Sequence, residues 1–126
     1  MGDYILTRED VLEGHKFKDA ICRNSLPIED HTVGLETIRL HLHGDDYYQI
    51  HYRILLPQRV KNLLVAGRCV STTHDALASV RVMGAAIAMG QAAGTAATLS
   101  IQSRVFPRNL PVQKLQAILI QDKALI

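Results

Sequence analysis

Between Gly67 and Gly84 the chain gathers the side chains with which it could do chemistry: Arg68, Cys69, His74, Ser79 and Arg81. They lie between an apolar run, Asn62-Leu-Leu-Val-Ala-Gly-Arg-Cys69, and a glycine- and alanine-rich stretch that opens at Val82-Met83-Gly84. A strand that delivers its carboxyl end to a loop and a helix N-terminus is where α/β proteins hold anionic or electron-rich groups. The first N–H groups of a helix lack intrahelical partners and sit at the positive end of its dipole. Gly67 closes the run, where a missing Cβ lets backbone approach a ligand oxygen. Arg68 can fork onto a phosphate or carboxylate, or simply be solvated. His74 stands inside the connecting loop; an unperturbed imidazole titrates near neutrality and suits proton transfer. A loop histidine that merely hydrogen-bonds backbone is the competing reading. Arg81 adds positive charge beside the helix start, or ties the loop to a neighbouring acid. Cys69 reads as a small thiol more readily than as a reactive one.

The remaining candidates are weaker. His41 and His43 with Asp45 and Asp46 imitate a metal site on a strand end, but spacing pins no third ligand, so a solvated strand end is the better reading. The two cysteines, Cys22 and Cys69, give neither a metal-type spacing nor a disulfide framework. Free thiols in a reducing, cytoplasmic setting are the expectation, and Met1-Gly-Asp-Tyr-Ile-Leu-Thr-Arg-Glu-Asp10 has no basic and apolar leader pattern. The formal charge of +2 and the absence of tryptophan argue against a nucleic-acid partner. No Gly-x-Gly-x-x-Gly fingerprint occurs, and no Gly-Lys-Ser/Thr follows the glycines, so neither a dinucleotide grip nor a P-loop is present.

The elements that must position these residues follow from pattern. Thr7-Arg-Glu-Asp10 predicts a capping box, a short helix ended near Gly14, and burial of Val11 and Leu12. Lys16 to Ile21 predicts a further helical turn, and Asn24 to Gly34 a loop. Alternation from Glu36 to Leu42, a turn at His43-Gly-Asp-Asp46 and a return from Tyr47 to Ile54 predict an antiparallel hairpin. Leu63, Leu64 and Val65 predict a central strand buried on both faces. Thr72 to Ser79 reads as loop. Pro111 with Val112, Leu115, Ile118 and Leu119 predicts an amphipathic terminal helix.

The stretch from Met83 to Gln102 predicts one long helix. Gly84, Ala88, Ala92 and Ala96 recur every four residues, as do Ala86, Gly90, Gly94 and Thr98. Each interior glycine costs about 1 kcal/mol against alanine. Very close packing against a sheet, another helix or a ligand would be the compensation, although tight packing with no ligand explains the pattern equally well. Gly90-x-x-x-Gly94 in an uncharged stretch also fits a transmembrane dimer. The abundance of Ala, Gly, Gln91, Thr95, Thr98, Ser100 and Gln102, with no flanking aromatic belt, favours a buried helix and no membrane partner.

Taken in order, Asn62-Leu-Leu-Val-Ala-Gly-Arg-Cys69, Ser79-Val-Arg-Val82 and Gly90-Gln-Ala-Ala-Gly-Thr-Ala-Ala97 resemble the C-terminal part of the FAD-dependent oxidoreductase family. The likeness extends to Gly2–Leu12, Tyr52-Arg53 with Leu55-Leu-Pro57, and Lys114-Leu-Gln116. It implies an α/β class: a C-terminal fragment of a two-domain, Rossmann-like flavoprotein. Residues 1–58 would be a partial substrate-side segment, and residues 59–126 the return segment that finishes the flavin site. By this resemblance Gly67, Arg68, Ser79, Arg81, Val82, Met83 and Gly84 would bind FAD on its ribityl and isoalloxazine side, with His74 as the catalytic candidate. The partners implied are a small-molecule substrate and an N-terminal unit gripping the ADP half of FAD, missing here or carried on a separate chain. Without it the chain is expected to be inactive alone. A non-catalytic interaction module or split subunit, docking through the Gly/Ala helix, is the alternative. Two departures stand out: His51 replaces a family proline, and Met83-Gly-Ala-Ala replaces a bulkier helix opening.

Overall fold

The computed structural model describes residues 1–31, 37–43 and 47–126. Thr7 caps α1 (Arg8–Leu12) as its sequence requires. Its hydroxyl accepts the Asp10 N–H at 3.2 Å, while the Asp10 carboxylate accepts the Thr7 N–H at 2.9 Å. Gly14 leaves the helix at φ 65°, a conformation open to glycine at little cost. Val11 and Leu12 are buried.

Four short strands follow: β1 (Ala20–Asn24), β2 (Ile28–Asp30), β3 (Ile38–Leu40) and β4 (Tyr48–His51). They do not form the expected hairpin. β3 pairs antiparallel with β2, and β4 pairs antiparallel with β1. Alternation announces a strand but not its partner, and β1 offers β4 a more apolar neighbour than β3 does. Ala20, Ile21 and Cys22 are buried, whereas Ile38 is 45% exposed. The helical turn expected over 16–21 does not form: Ala20 and Ile21 open β1 instead. The turn expected at 43–46 and the loop expected over 24–34 lie partly outside the described residues, and β2 occupies Ile28–Asp30 of that loop.

The apolar run 62–66 is the second correction. It is not a strand: Leu63 is 45% exposed, and among the described residues its one backbone-to-backbone bond runs from Val65 N–H to the Leu55 carbonyl at 3.0 Å. A strand requires a ladder, and the described residues offer this segment no neighbouring strand. The only parallel pairing among them is an isolated bridge between Leu6 and Thr72.

The segment expected as loop over 72–79 contains α2 (His74–Val80), capped by the Thr73 hydroxyl. The long helix forms as expected, as α3 (Met83–Ser103), and α4 (Val112–Gln121) follows Pro111. α3 buries one stripe, Ala85, Met89, Ala92, Ala96 and Ser100, and packs on β1 and α4. α4 closes the core with Leu115 and Leu119. That core is shared by residues from both halves of the chain, among them Leu6, Ile21, Tyr48, Ile54, Val80 and Met89. No single described helix is long and apolar enough to cross a membrane; α2 and α3 pass by length and composition only as a pair bent by 92°.

Candidate functional site

Gly67 adopts φ 74° at the head of a short 3-10 turn, Gly67–Cys69. A Cβ built there would meet only the Ala86 Cβ, at 3.9 Å, so the turn lies against the first turn of α3 with space around it. The backbone angle requires glycine where space alone does not. Arg68 is exposed and makes no hydrogen bond or ion pair among the described residues.

The start of α3 is open. Val82 takes the N-cap position with extended angles but has no side chain that can cap, and Met83 and Gly84 fill the exposed first turn. A Cβ at Gly84 would meet nothing within 4 Å. Three backbone N–H groups therefore reach the positive end of a 21-residue helix without a side-chain acceptor. Arg81, the C-cap of α2, donates from its guanidinium to the Glu29 carbonyl at 3.1 Å. It is a tether to β2 through backbone, not through an acid.

His74 is the first residue of α2, not a loop residue. Its ring is 71% exposed, with Nδ1 3.5 Å from the Asp75 carboxylate, which also meets Arg8 at 3.4 Å. Arg68, His74 and Arg81 line one cleft of about 350 Å³, together with Glu29, Asp30 and His31. Pattern reading missed those three because they sit in and beside a strand that was expected to be loop. Glu29 is held by Arg39 at 2.8 Å.

Ser79 is placed elsewhere. It is fully buried, donates its hydroxyl proton to the Leu26 carbonyl at 2.6 Å, and lies 2.8 Å from the Tyr48 hydroxyl. Asn24 Nδ2 donates to both the Tyr48 hydroxyl and the Ser79 carbonyl. Burial pushes the Tyr48 phenol up to about 12, so it stays a proton donor in this chain of bonds. Cys69 is exposed and its thiol donates to the Ala66 carbonyl at 3.2 Å, whereas Cys22 is buried and pushed up to about 12 by desolvation. Among the described residues no cluster of His, Cys, Asp and Glu could hold a metal ion. Asp45 and Asp46 lie outside them.

An uncapped helix start, a positive-φ glycine packed beside it and, on the same turn, an arginine with no hydrogen bond or ion pair among the described residues lie together at this end of the fold. The chain matches the family model for FAD dependent oxidoreductases over residues 1–119 and belongs to that family. No curated protein and no solved structure shows significant similarity to it.

Proposed function

We propose that this chain completes the ribityl and isoalloxazine side of an FAD site in an oxidoreductase acting on a small molecule. The observation that carries the reading is the unblocked N-terminus of α3 with Gly67 packed beside it. FAD, when bound, supplies the two-electron redox chemistry, and the protein positions and polarises it. In this reading Arg68 pairs with the pyrophosphate, and the N–H groups around Val82, Met83 and Gly84 stabilise negative charge at the ring edge. Arg81 adds to that field while its bond to Glu29 fixes the turn between α2 and α3. His74 is the proton-exchanging group, its exposed ring standing with Nδ1 3.5 Å from the Asp75 carboxylate. Ser79 serves the site indirectly, by anchoring the end of α2.

The domain division belongs to the same proposal, with 1–58 as substrate-side segment and 59–126 as return segment of the FAD-binding domain. A unit carrying the ADP grip would supply strands beside the unpaired run 62–66. The test joins the chain to a family-type N-terminal unit and measures flavin retention after gel filtration. A bright yellow joined protein, a colourless chain alone, and loss of flavin in Arg68→Gln are expected. A joined protein that folds but retains no flavin overturns the reading.

One observation favours the non-catalytic alternative. The outer face of α3 carries Met83 at 83%, Ile87 at 73% and Ile101 at 78% exposure, with Gly90 and Gly94 between them and no charge. A colourless chain that remains soluble only with a protein partner, joined unit or not, would point to a docking module.

A further inference from the structure

The C-terminal end of α3, the approach to the run 62–66 and the segment after the helix enclose a groove of about 680 Å³. It shares no lining residue with the cleft around Arg68 and His74. Its walls are mainly apolar: Leu64, Ala93, Ala97, Ile101, Val105 and Phe106. Small-molecule sites combine such walls with a few placed polar groups. Two polar groups here are unusual. Ser100 lines the groove at 4% exposure, yet its hydroxyl has no hydrogen-bond partner among the described residues. By contrast, Thr98 on the same helix satisfies its hydroxyl on the Gly94 carbonyl at 3.1 Å. Arg104 also lines the groove; it ends α3 at φ 54°, ψ 41°, a left-handed position where glycine is the unstrained choice. Its guanidinium makes no hydrogen bond or ion pair among the described residues.

We propose that this groove binds a monocarboxylic acid with an apolar tail. The carboxylate takes the Arg104 fork, whose planar geometry matches it, and a rotation of the buried Ser100 side chain toward the groove lets its hydroxyl donate a hydrogen bond to it. The tail lies on Ala93, Ala97 and Ile101 and is covered by Phe106. One guanidinium balances one negative charge; a phosphomonoester, with nearly two at neutral pH, would leave charge uncompensated. The inference uses none of the residues assigned to contact FAD, although Leu64 also belongs to the run 62–66 that the flavin reading places beside a further unit.

The test is calorimetric titration of the full chain with decanoate and with decan-1-ol, which share the tail and differ in the charged head. Decanoate is expected to bind about tenfold or more tightly than the alcohol, and Arg104→Gln to abolish that preference while alcohol binding persists. Ser100→Ala is expected to weaken decanoate several-fold and leave the thermal midpoint unchanged or raised, since it removes an unpaired buried hydroxyl. Ala97→Phe, checked for folding by circular dichroism, fills the groove and should abolish binding of both probes. Equal affinity for the two probes, no binding, or affinity unmoved by Arg104→Gln and Ala97→Phe overturns the proposal. So does a concentration-dependent dimer that excludes decanoate, which would show a second copy of the chain in the groove.

Discussion

His51 Nδ1 stands 3.7 Å from the Asp19 carboxylate in a position with no solvent access, while Arg53 holds the same carboxylate through two bonds of 2.9 and 3.1 Å. The imidazole is boxed by Tyr4, edge-on at 4.4 Å, and Phe17 at 4.2 Å, and His15 stacks on Phe17 at 4.5 Å. Neither ring nitrogen has a hydrogen-bond partner among the described residues. Desolvation is the largest influence on His51 and lowers its pKa below 6.5, against the pull of Asp19. The bidentate Arg53 pair and His51 hold the Asp19 carboxyl far below the usual carboxylate range, outweighing its partial burial.

These two groups predict separate acid windows. Above pH 6.5 His51 is neutral in both states and its contribution is complete. As pH falls below 6.5 the unfolded chain takes up a proton that the folded chain resists, so stability declines until the folded-state pKa is passed. Asp19, with a depressed pKa, loses its contribution only at pH below its ordinary value of 3.8. Urea midpoints measured between pH 8 and 4.5 should therefore fall with acidification, and His51→Gln should flatten that slope. A slope unchanged in the variant would assign the loss to other groups.

Ser79→Ala tests whether this residue is structural. Removing its hydroxyl leaves the Leu26 carbonyl and the buried Tyr48 hydroxyl without a shared partner, which should cost about 1–3 kcal/mol. Equilibrium urea denaturation of the variant measures it. A stability change near zero would mean that water or a rearranged Asn24 replaces the bond.

Ala92 and Gly90 should respond in opposite directions although they are two residues apart on α3. Ala92 is fully buried, so Ala92→Leu overpacks the core and should destabilise by about 1–3 kcal/mol. A Cβ on Gly90 would meet nothing within 4 Å, so Gly90→Ala should stabilise the chain by about 1 kcal/mol. Ala88, half-buried, should tolerate leucine better than Ala92 does. Thermal melts that rank the three differently would relocate the buried face of the helix.

In a joined, flavin-loaded protein, Arg81→Ala should lower the flavin midpoint potential, because removing a nearby positive charge disfavours the anionic reduced form. At an effective dielectric near 20, a charge about 5 Å away is worth roughly 3 kcal/mol, cut by solvent to about 1 kcal/mol. Potentiometric titration checks it. An unchanged or raised potential leaves Arg81 as the tether to Glu29 alone.

What the sequence determined by itself is local or carried in ordered motifs. The Thr7–Asp10 capping box, the extent of α3 and the face of α4 follow from contacts within a few residues, and the pattern states them completely. The family is likewise a property of the sequence, whose match to the family model runs over residues 1–119. Tertiary structure decided everything that depends on a distant partner. Alternation marked a strand over 36–42 and a return over 47–54, but only the assembled core paired β3 and β4 with β2 and β1 instead of with each other. The apolar run 62–66 carried the composition of a central strand, yet a ladder needs a neighbour that no run of side chains can specify. Ser79 sat among the ligand candidates by position, and three-dimensional packing turned its hydroxyl into the core toward Tyr48 and Leu26. The glycines of α3 signalled close approach by something; the fold leaves that face open, because burial along a helix is chosen by what packs against it and not by its own small residues.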